Sequence, residues 1–181
     1  MPHPRRDIAA GIFHVYTHCV WASPALYRDR VDRVEFLRHL ARTTAKTGWT
    51  CVAYCLMSSH YHLIVEVGQG VLPTAMHSLN LGYALHHNRR HGLRGHVQFR
   101  RYGARRLHDD AELLTAFRYL ARNPFDAGVC SSPAKSSWSS YPGTVGLEEL
   151  AAFVDPSRVL DCFRHAGFDA RAALRAAVEK P

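Results

Sequence analysis

The chain has 181 residues, 47 % hydrophobic and 21 % charged, the balance of a globular domain with its own core, alone or with a small appendage. No apolar run reaches the roughly 18 residues of a membrane span, and Met1-Pro2-His3-Pro4-Arg5-Arg6-Asp7 is not followed by the apolar stretch of a secretory signal, so a cytoplasmic protein with no membrane partner is expected. The formal net charge is +8, carried by twenty Arg and three Lys, which points toward a polyanionic partner.

In chain order, Ile12 to Trp21 is rich in β-branched and aromatic residues and reads as a strand ended by Pro24. Arg30 to Thr47 carries apolar residues at Val31, Val34, Leu37, Leu40 and Ala41, a helical stripe closed by Gly48. Trp49 to Met57 reads as a second strand, and Ser58-Ser59 turns it into a third that begins at His60, an antiparallel hairpin. After Gly68-Gln69-Gly70, Pro73 suits the first turn of a second helix that continues to about Arg90. Val97 to Tyr102 reads as an edge strand or a loop. Asp109-Asp110 caps a third helix through Leu113, Leu114, Phe117 and Leu120, expected to stop by Pro124. Ser131 to Tyr141 is a polar loop with two aromatic anchors, and Asp155 to His165 and Asp169 to Glu179 read as short helices.

The order β-α-β-β-α-β plus a terminal helix predicts an α+β, ferredoxin-like antiparallel sheet with helices on one face. Residues 1–128 read as the catalytic domain, with 129–181 as a C-terminal extension packed on it. The five cysteines, Cys19, Cys51, Cys55, Cys130 and Cys162, are odd in number and scattered, which is no disulfide framework. Cys51 and Cys55 in one strand lie about 13 Å apart, too far to bridge.

Two stretches carry candidate chemistry. In the third strand His60 and His62 share one face, while Tyr61, Leu63, Val65 and Val67 face the other, toward a core. Two imidazoles one pleat apart can hold one divalent metal; they are equally the pattern of two half-exposed strand histidines. On the third helix Tyr119 and Asn123 lie four apart on one face. The Asn123 amide oxygen would be a third ligand and Tyr119 a nucleophile beside it, or Asn123 caps the helix before Pro124. Imidazole and carboxamide donors with open positions for water and phosphate suit Mg2+ or Mn2+. Glu66, on the histidine face, is the alternative third ligand, and Tyr102 the alternative nucleophile.

From Val67 to His108 there is no Asp or Glu, and the window holds Arg89, Arg90, Arg94, Arg100, Arg101, Arg105 and Arg106 with Phe99 and Tyr102 interleaved. Arginine favours bidentate phosphate contacts, so this stripe is a candidate nucleic-acid surface. Arg118 and Arg122 flank Tyr119 and touch phosphate or form surface charge. His14 and His18 share a face of the first strand with Tyr16; they line a cleft, or serve packing and surface roles.

His60-Tyr61-His62 together with Tyr119-Leu120-Ala121-Arg122-Asn123-Pro124 resembles the HUH and Y-x-x-x-N-P motifs of REP-associated tyrosine transposases, which are single-tyrosine HUH endonucleases. Tyr54-Cys55-Leu56-Met57, Asn88-Arg89-Arg90-His91-Gly92 and Trp138-Ser139-Ser140-Tyr141 extend the resemblance over roughly residues 12 to 143, with Ser58-Ser59 standing where the family usually has Pro-Asn. The resemblance implies a metal-dependent enzyme on the bacterial nucleoid. It would cut single-stranded or hairpin DNA through a 5′-phosphotyrosine on Tyr119 and rejoin it with a 3′-OH. It leaves a homodimer open, and gives no pattern for the tail from Gly146. A hairpin-binding regulator without catalysis and a metal-dependent phosphodiester hydrolase are the rival readings.

Overall fold

The computed structural model describes residues 9–18, 25–93, 102–164 and 169–180. Strands β1 (Gly11–His18), β2 (Thr50–Leu56), β3 (His60–Val67) and β4 (Gly103–Leu107) form one antiparallel sheet in the order β2-β3-β1-β4. Helices α1 (Arg30–Thr47) and α2 (Val71–His91) are the two crossovers, and α3 (Asp110–Asp126) follows β4. This is the ferredoxin-like order expected from the pattern of elements. A single 3-10 turn (Pro133–Lys135), a short α4 (Tyr141–Thr144), α5 (Ser157–Arg164) and α6 (Ala170–Glu179) complete the described chain.

The alternation in β3 explains the first core. Tyr61, Leu63, Val65 and Val67, with Phe13 and Val15 of β1, face Phe36 and Leu40 of α1 and Leu72, Met76, Leu79 and Tyr83 of α2. Phe36 sits 4.8 Å from the ring of Tyr61 and 5.3 Å from that of Tyr83. The two phenols keep their polar ends satisfied: Tyr61 donates to Asn80 Oδ1 at 2.6 Å and Tyr83 to the Leu26 carbonyl at 2.7 Å. Asp29 caps α1 by accepting from the Asp32 N–H at 3.0 Å. Gly92 ends α2 in the left-handed region at φ 64, where a side chain would be strained.

Helices cover both faces of the sheet, where a one-sided layer was expected. A second core joins Ile12, Val52, Cys55 and Ile64 to Leu113, Ala116, Phe117, Leu120 and Ala121 of α3, Val159 of α5, and Leu174 and Val178 of α6. The histidine face is therefore not simply the side away from the core. Ile12 and Ile64 alternate in phase with His14 and His62, so the same face is apolar in the middle of the sheet and polar toward one end.

Two boundaries also differ from expectation. Helix α3 passes through Pro124 to Asp126, because the proline is buried and only its missing N–H leaves the ladder. The Ala127 and Val129 N–H groups donate to the carbonyls of Asn123 and Pro124 at 3.0 and 2.8 Å. Asn123 is thus inside the helix and does not cap it. The fourth strand is Gly103–Leu107; Val97 to Arg101 of the expected edge segment lie outside the described residues. What makes this Arg-rich stretch a strand is its ladder to β1, from Ile12↔Leu107 to Tyr16↔Gly103.

The Trp138-Ser139-Ser140-Tyr141 segment lies along the free edge of β2. Leu56 N–H donates to the Trp138 carbonyl at 2.8 Å, and Ser140 N–H donates to the Tyr54 carbonyl at 3.0 Å. The Ser140 hydroxyl accepts from Tyr54 N–H at 3.0 Å, so side chain and backbone together cover the sheet edge. Tyr141 OH reaches Glu179 of α6 at 3.1 Å. Among the described residues no helix is long and apolar enough to cross a membrane.

Candidate active site

Pairing of β1 with β3 brings the histidine triplet beside a second polar set. The register sets Tyr16 opposite His62, His14 opposite Ile64, and His18 opposite His60. His14 Nε2 and His62 Nδ1 lie 3.0 Å apart, a hydrogen bond in which one ring donates to the other. The rings of His60 and His62 are 5.1 Å apart and nearly perpendicular, at 83°. Ser59 Oγ is 3.2 Å from His60 Nδ1. His62 is buried, and His60 and His14 are half-buried. Burial lowers the pKa of His14 from the usual imidazole value, and the nearby Arg105 charge lowers it further, so His14 is held toward its neutral form.

Helix α3 delivers the tyrosine to this end of the sheet. Leu113, Ala116, Phe117, Leu120 and Ala121 bury the helix face, which leaves Tyr119 at the rim, 51 % exposed. Its ring meets His62 edge-on, with centroids 5.3 Å apart at 85°, and His14 at 5.9 Å and 65°. Asn123 follows one turn later, half-buried. Glu66 stands at the opposite end of β3 from His60 and faces Arg158 of α5 at 3.9 Å. Tyr102 packs against the first core, with α1 and α2, and so lies on the other side of the sheet from Tyr119.

Tyr16 is the tyrosine that sequence reasoning passed over. Its ring lies 5.6 Å from His14 and 6.2 Å from His62. Gly103, its cross-strand partner, leaves the space: a Cβ there would come within 2.4 Å of the Tyr16 ring. Arg105 is the cross-strand partner of His14 and shares its face, whereas Arg106 pairs with Phe13, faces the other way, and donates to the Ala10 carbonyl at 2.9 Å. The signal for Tyr16 was the alternation of β1, which needs the strand order to become readable.

The other predicted arginines divide by their partners. Arg89 is exposed on α2. Arg90 Nη2 lies 2.7 Å from an Asp29 oxygen, and Nη1 reaches Asp32 as well. Arg118 donates to the Lys180 carbonyl at 2.9 Å and Arg122 to the Val178 carbonyl at 3.1 Å, so both meet the electronegative C-terminal end of α6. Arg105 approaches Glu112 at 3.4 Å. Arg94, Arg100 and Arg101 lie outside the described residues.

A second group lies between α1 and α2, on the opposite side of the sheet. Asp32, His87 and His91 each offer a ligand atom, all within 4.8 Å of one another, a set that could hold a metal ion. Asp32 is fully buried. Burial pushes its carboxyl up, but the Arg28 N–H at 2.8 Å, His91 and Arg90 outweigh that and hold it below the usual range. Asp29, hydrogen-bonded to Arg90, is held down to about 2. His87 is 1 % exposed, and neither ring nitrogen has a hydrogen-bond partner among the described residues. Leaving a buried polar group in that state costs about 1–3 kcal/mol.

With sheet order, histidine pair and helix tyrosine in place, the chain can be set beside solved structures. A solved structure of a REP-associated tyrosine transposase bound to a REP hairpin superposes with a TM-score of 0.61, covering 86 % of this chain and 93 % of that one, at 15 % identity. The chain has the fold of that tyrosine transposase. A protein of Deinococcus radiodurans R1, assigned only provisionally as a transposase, aligns at a TM-score of 0.45 and 15 % identity over 71 % of this chain and 98 % of that one. No family model matches the chain, and no curated protein matches it significantly.

Proposed function

We propose that this chain is a DNA strand transferase that cuts and rejoins single-stranded, hairpin-forming DNA through a covalent link to Tyr119. The observation that carries the reading is the position of Tyr119, half-exposed and edge-on to His62, at the polar end of the sheet where β1 and β3 bring His14, His60 and His62 together. The transposase of like fold is described with a bound REP hairpin, which supports hairpin DNA as the substrate class.

His60 and His62, with the Asn123 amide oxygen, would hold a divalent ion, Mg2+ or Mn2+. The donor set fits: two imidazoles on one strand face, and a carboxamide one turn beyond the tyrosine. Such an ion supplies Lewis-acid polarisation of the scissile phosphate. His14 is a positioning residue. If His62 Nδ1–H donates to His14 Nε2, the other nitrogen of His62 is left with its lone pair for coordination, and a neutral His14 is the acceptor this requires.

Tyr119 Oη attacks phosphorus, its proton passes to water, the bond from phosphorus to the 3′ oxygen breaks, and that oxygen leaves as a 3′-OH. The product on Tyr119 is a 5′-phosphotyrosine, and attack by a 3′-OH reverses the step. A rigid helix position suits in-line attack, which needs the nucleophile about 3 Å from phosphorus. Arg105, on the same face as His14, would meet a phosphate of the bound strand.

The test is incubation of the full chain with labelled hairpin DNA and Mn2+, resolved on a denaturing gel. The expected result is a cut strand and a covalent adduct that carries label from the 3′ side of the cut and maps to Tyr119. Cleavage without an adduct would replace this reading by a water-using phosphodiester hydrolase. Binding with no cleavage would replace it by a hairpin-binding regulator.

A further inference from the structure

We infer that Asp32, His87 and His91 form a separate, structural metal site, for Zn2+ or a like late first-row divalent cation, that ties the start of α1 to the end of α2. His87 and His91 are four apart on α2, so their rings stand on one helix face, with centroids 4.5 Å apart. Two histidines at this spacing on one helix are a known way to grip zinc. The third donor comes from a different element. Asp32 stands in the first turn of α1, and both its carboxylate oxygens lie 3.0 Å from His91 Nε2.

The independent sign of a ligand is His87. The residue is 1 % exposed, and among the described residues neither ring nitrogen has a hydrogen-bond partner, although the ligand atoms of Asp32 and His91 lie within 4.8 Å. A tetrahedral ion with bonds of about 2.0–2.1 Å sets neighbouring ligand atoms about 3.3 Å apart. The His91–Asp32 pair, at 3.0 Å, is already near that spacing, and His87, within 4.8 Å, has to close by at most about 1.5 Å. The ion would also give the buried imidazole the partner it lacks.

Arg90 is the competitor. Its Nη1 reaches Asp32, but both its Nη atoms also reach Asp29, at 3.0 and 2.7 Å. On metal binding Arg90 can leave Asp32 and keep Asp29, so the displaced cation stays paired. Two imidazoles and one carboxylate, completed by the second Asp32 oxygen or a water, make the four-coordinate donor set that suits Zn2+.

The experiment uses the full chain, stripped with chelator and titrated with Zn2+ or with Co2+, whose visible absorption reports nitrogen coordination. The His60→Ala/His62→Ala variant removes the other imidazole pair. It is expected to bind about one equivalent of Zn2+, and its Tm should rise by about 5–10 °C at free Zn2+ a hundredfold above Kd. Adding His87→Phe, which keeps the buried volume, should abolish both signals. In the chain with His60 and His62 intact, His87→Phe alone should lower Zn2+ uptake by one equivalent, which keeps the test usable if the triple variant does not fold. Zn2+ uptake and a Tm rise that are unchanged by His87→Phe, or no uptake in the His60→Ala/His62→Ala background, would overturn the site. Neither outcome bears on cleavage by Tyr119.

Discussion

The two histidine groups of this protein stand on opposite faces of one sheet and are built differently. The group on the β1–β3 face has three imidazoles, an exposed tyrosine and, on the adjoining edge strand, Arg105, which meets the Glu112 carboxylate at 3.4 Å. The group between α1 and α2 has a fully buried carboxylate, a buried imidazole and an arginine already paired to it. An anionic strand can approach the first, because its charged and reactive groups are cationic or neutral and face outward. The second is closed and offers a negative charge, which repels phosphate and attracts a cation. Histidine content alone would rank the two as equals; exposure and the presence of Asp32 separate them.

The largest expected effect is on the open group. Tyr119→Phe should abolish cleavage and the covalent adduct, read on a denaturing gel. Its Tm and zinc uptake should not change, since a half-exposed hydroxyl without a core role costs within about 0.5 kcal/mol. Tyr16→Phe should still form the adduct, because Tyr16 sits on the strand and not on the helix that presents Tyr119. An adduct that survives in Tyr119→Phe and disappears in Tyr16→Phe would reassign the nucleophile.

Next in size is His14. His14→Ala removes the hydrogen-bond partner of His62 and should lower cleavage about 10–100-fold at limiting Mn2+, with partial recovery at high Mn2+, as loss of a second-layer partner does in metal sites. His14→Gln, which keeps an acceptor, should restore part of the rate. A loss in His14→Ala that no Mn2+ concentration relieves would mean that His14 acts on the DNA directly.

Much of this arrangement was legible in the sequence, and the failures share a cause. Period-two alternation identified the faces of β3, and helical spacing put Tyr119 and Asn123 on one side of α3, because both are local geometry. Their meeting across the sheet was legible only through the resemblance. The second core was not foreseen in full because part of it, Val159, Leu174 and Val178 among them, lies in a tail whose docking surface is set by tertiary contacts. Pro124 misled because a burial-stabilised last turn outweighs one missing hydrogen bond. Asp32 lies in the first turn of α1, and nothing local marks it as fully buried against residues 55 and 59 positions later.

The arginines test the same contrast at a smaller scale. Arg105→Ser should lower the salt slope of single-strand binding by about 0.7, the loss of one phosphate contact. Arg90→Ser should leave that slope alone and reduce stability, because Arg90 pairs with Asp29 and Asp32. Measuring log Kd against log salt for both variants, with urea unfolding alongside, separates a DNA contact from an internal ion pair. A reduced slope in Arg90→Ser would place the α1–α2 end on the DNA path.

The smallest effect is silent at neutral pH and asks whether the two faces, unequal in chemistry, are equally well packed. Cys51 belongs to the core under α1 and α2, and Cys55 to the core under α3. Both are fully buried, and burial pushes each thiol up to about 12. A raised pKa in the folded state means that the folded chain holds its proton more tightly than the unfolded chain. The stabilising contribution is therefore whole below the unfolded thiol value, near 8.5, and is lost as pH rises from there toward 12. By pH 10 each thiol should have given up roughly 2 kcal/mol, on the slope of about 1.4 kcal/mol per pH unit. Urea unfolding of Cys51→Ala and Cys55→Ala between pH 7 and 10 should show each variant less stable at pH 7, with an alkaline decline about 2 kcal/mol shallower than that of the unaltered chain. Equal flattening in the two means two dry cores. Flattening by Cys51→Ala alone would mean that water reaches Cys55, and hence that the layer of α3, α5 and α6 behind Tyr119 is the looser face of the sheet.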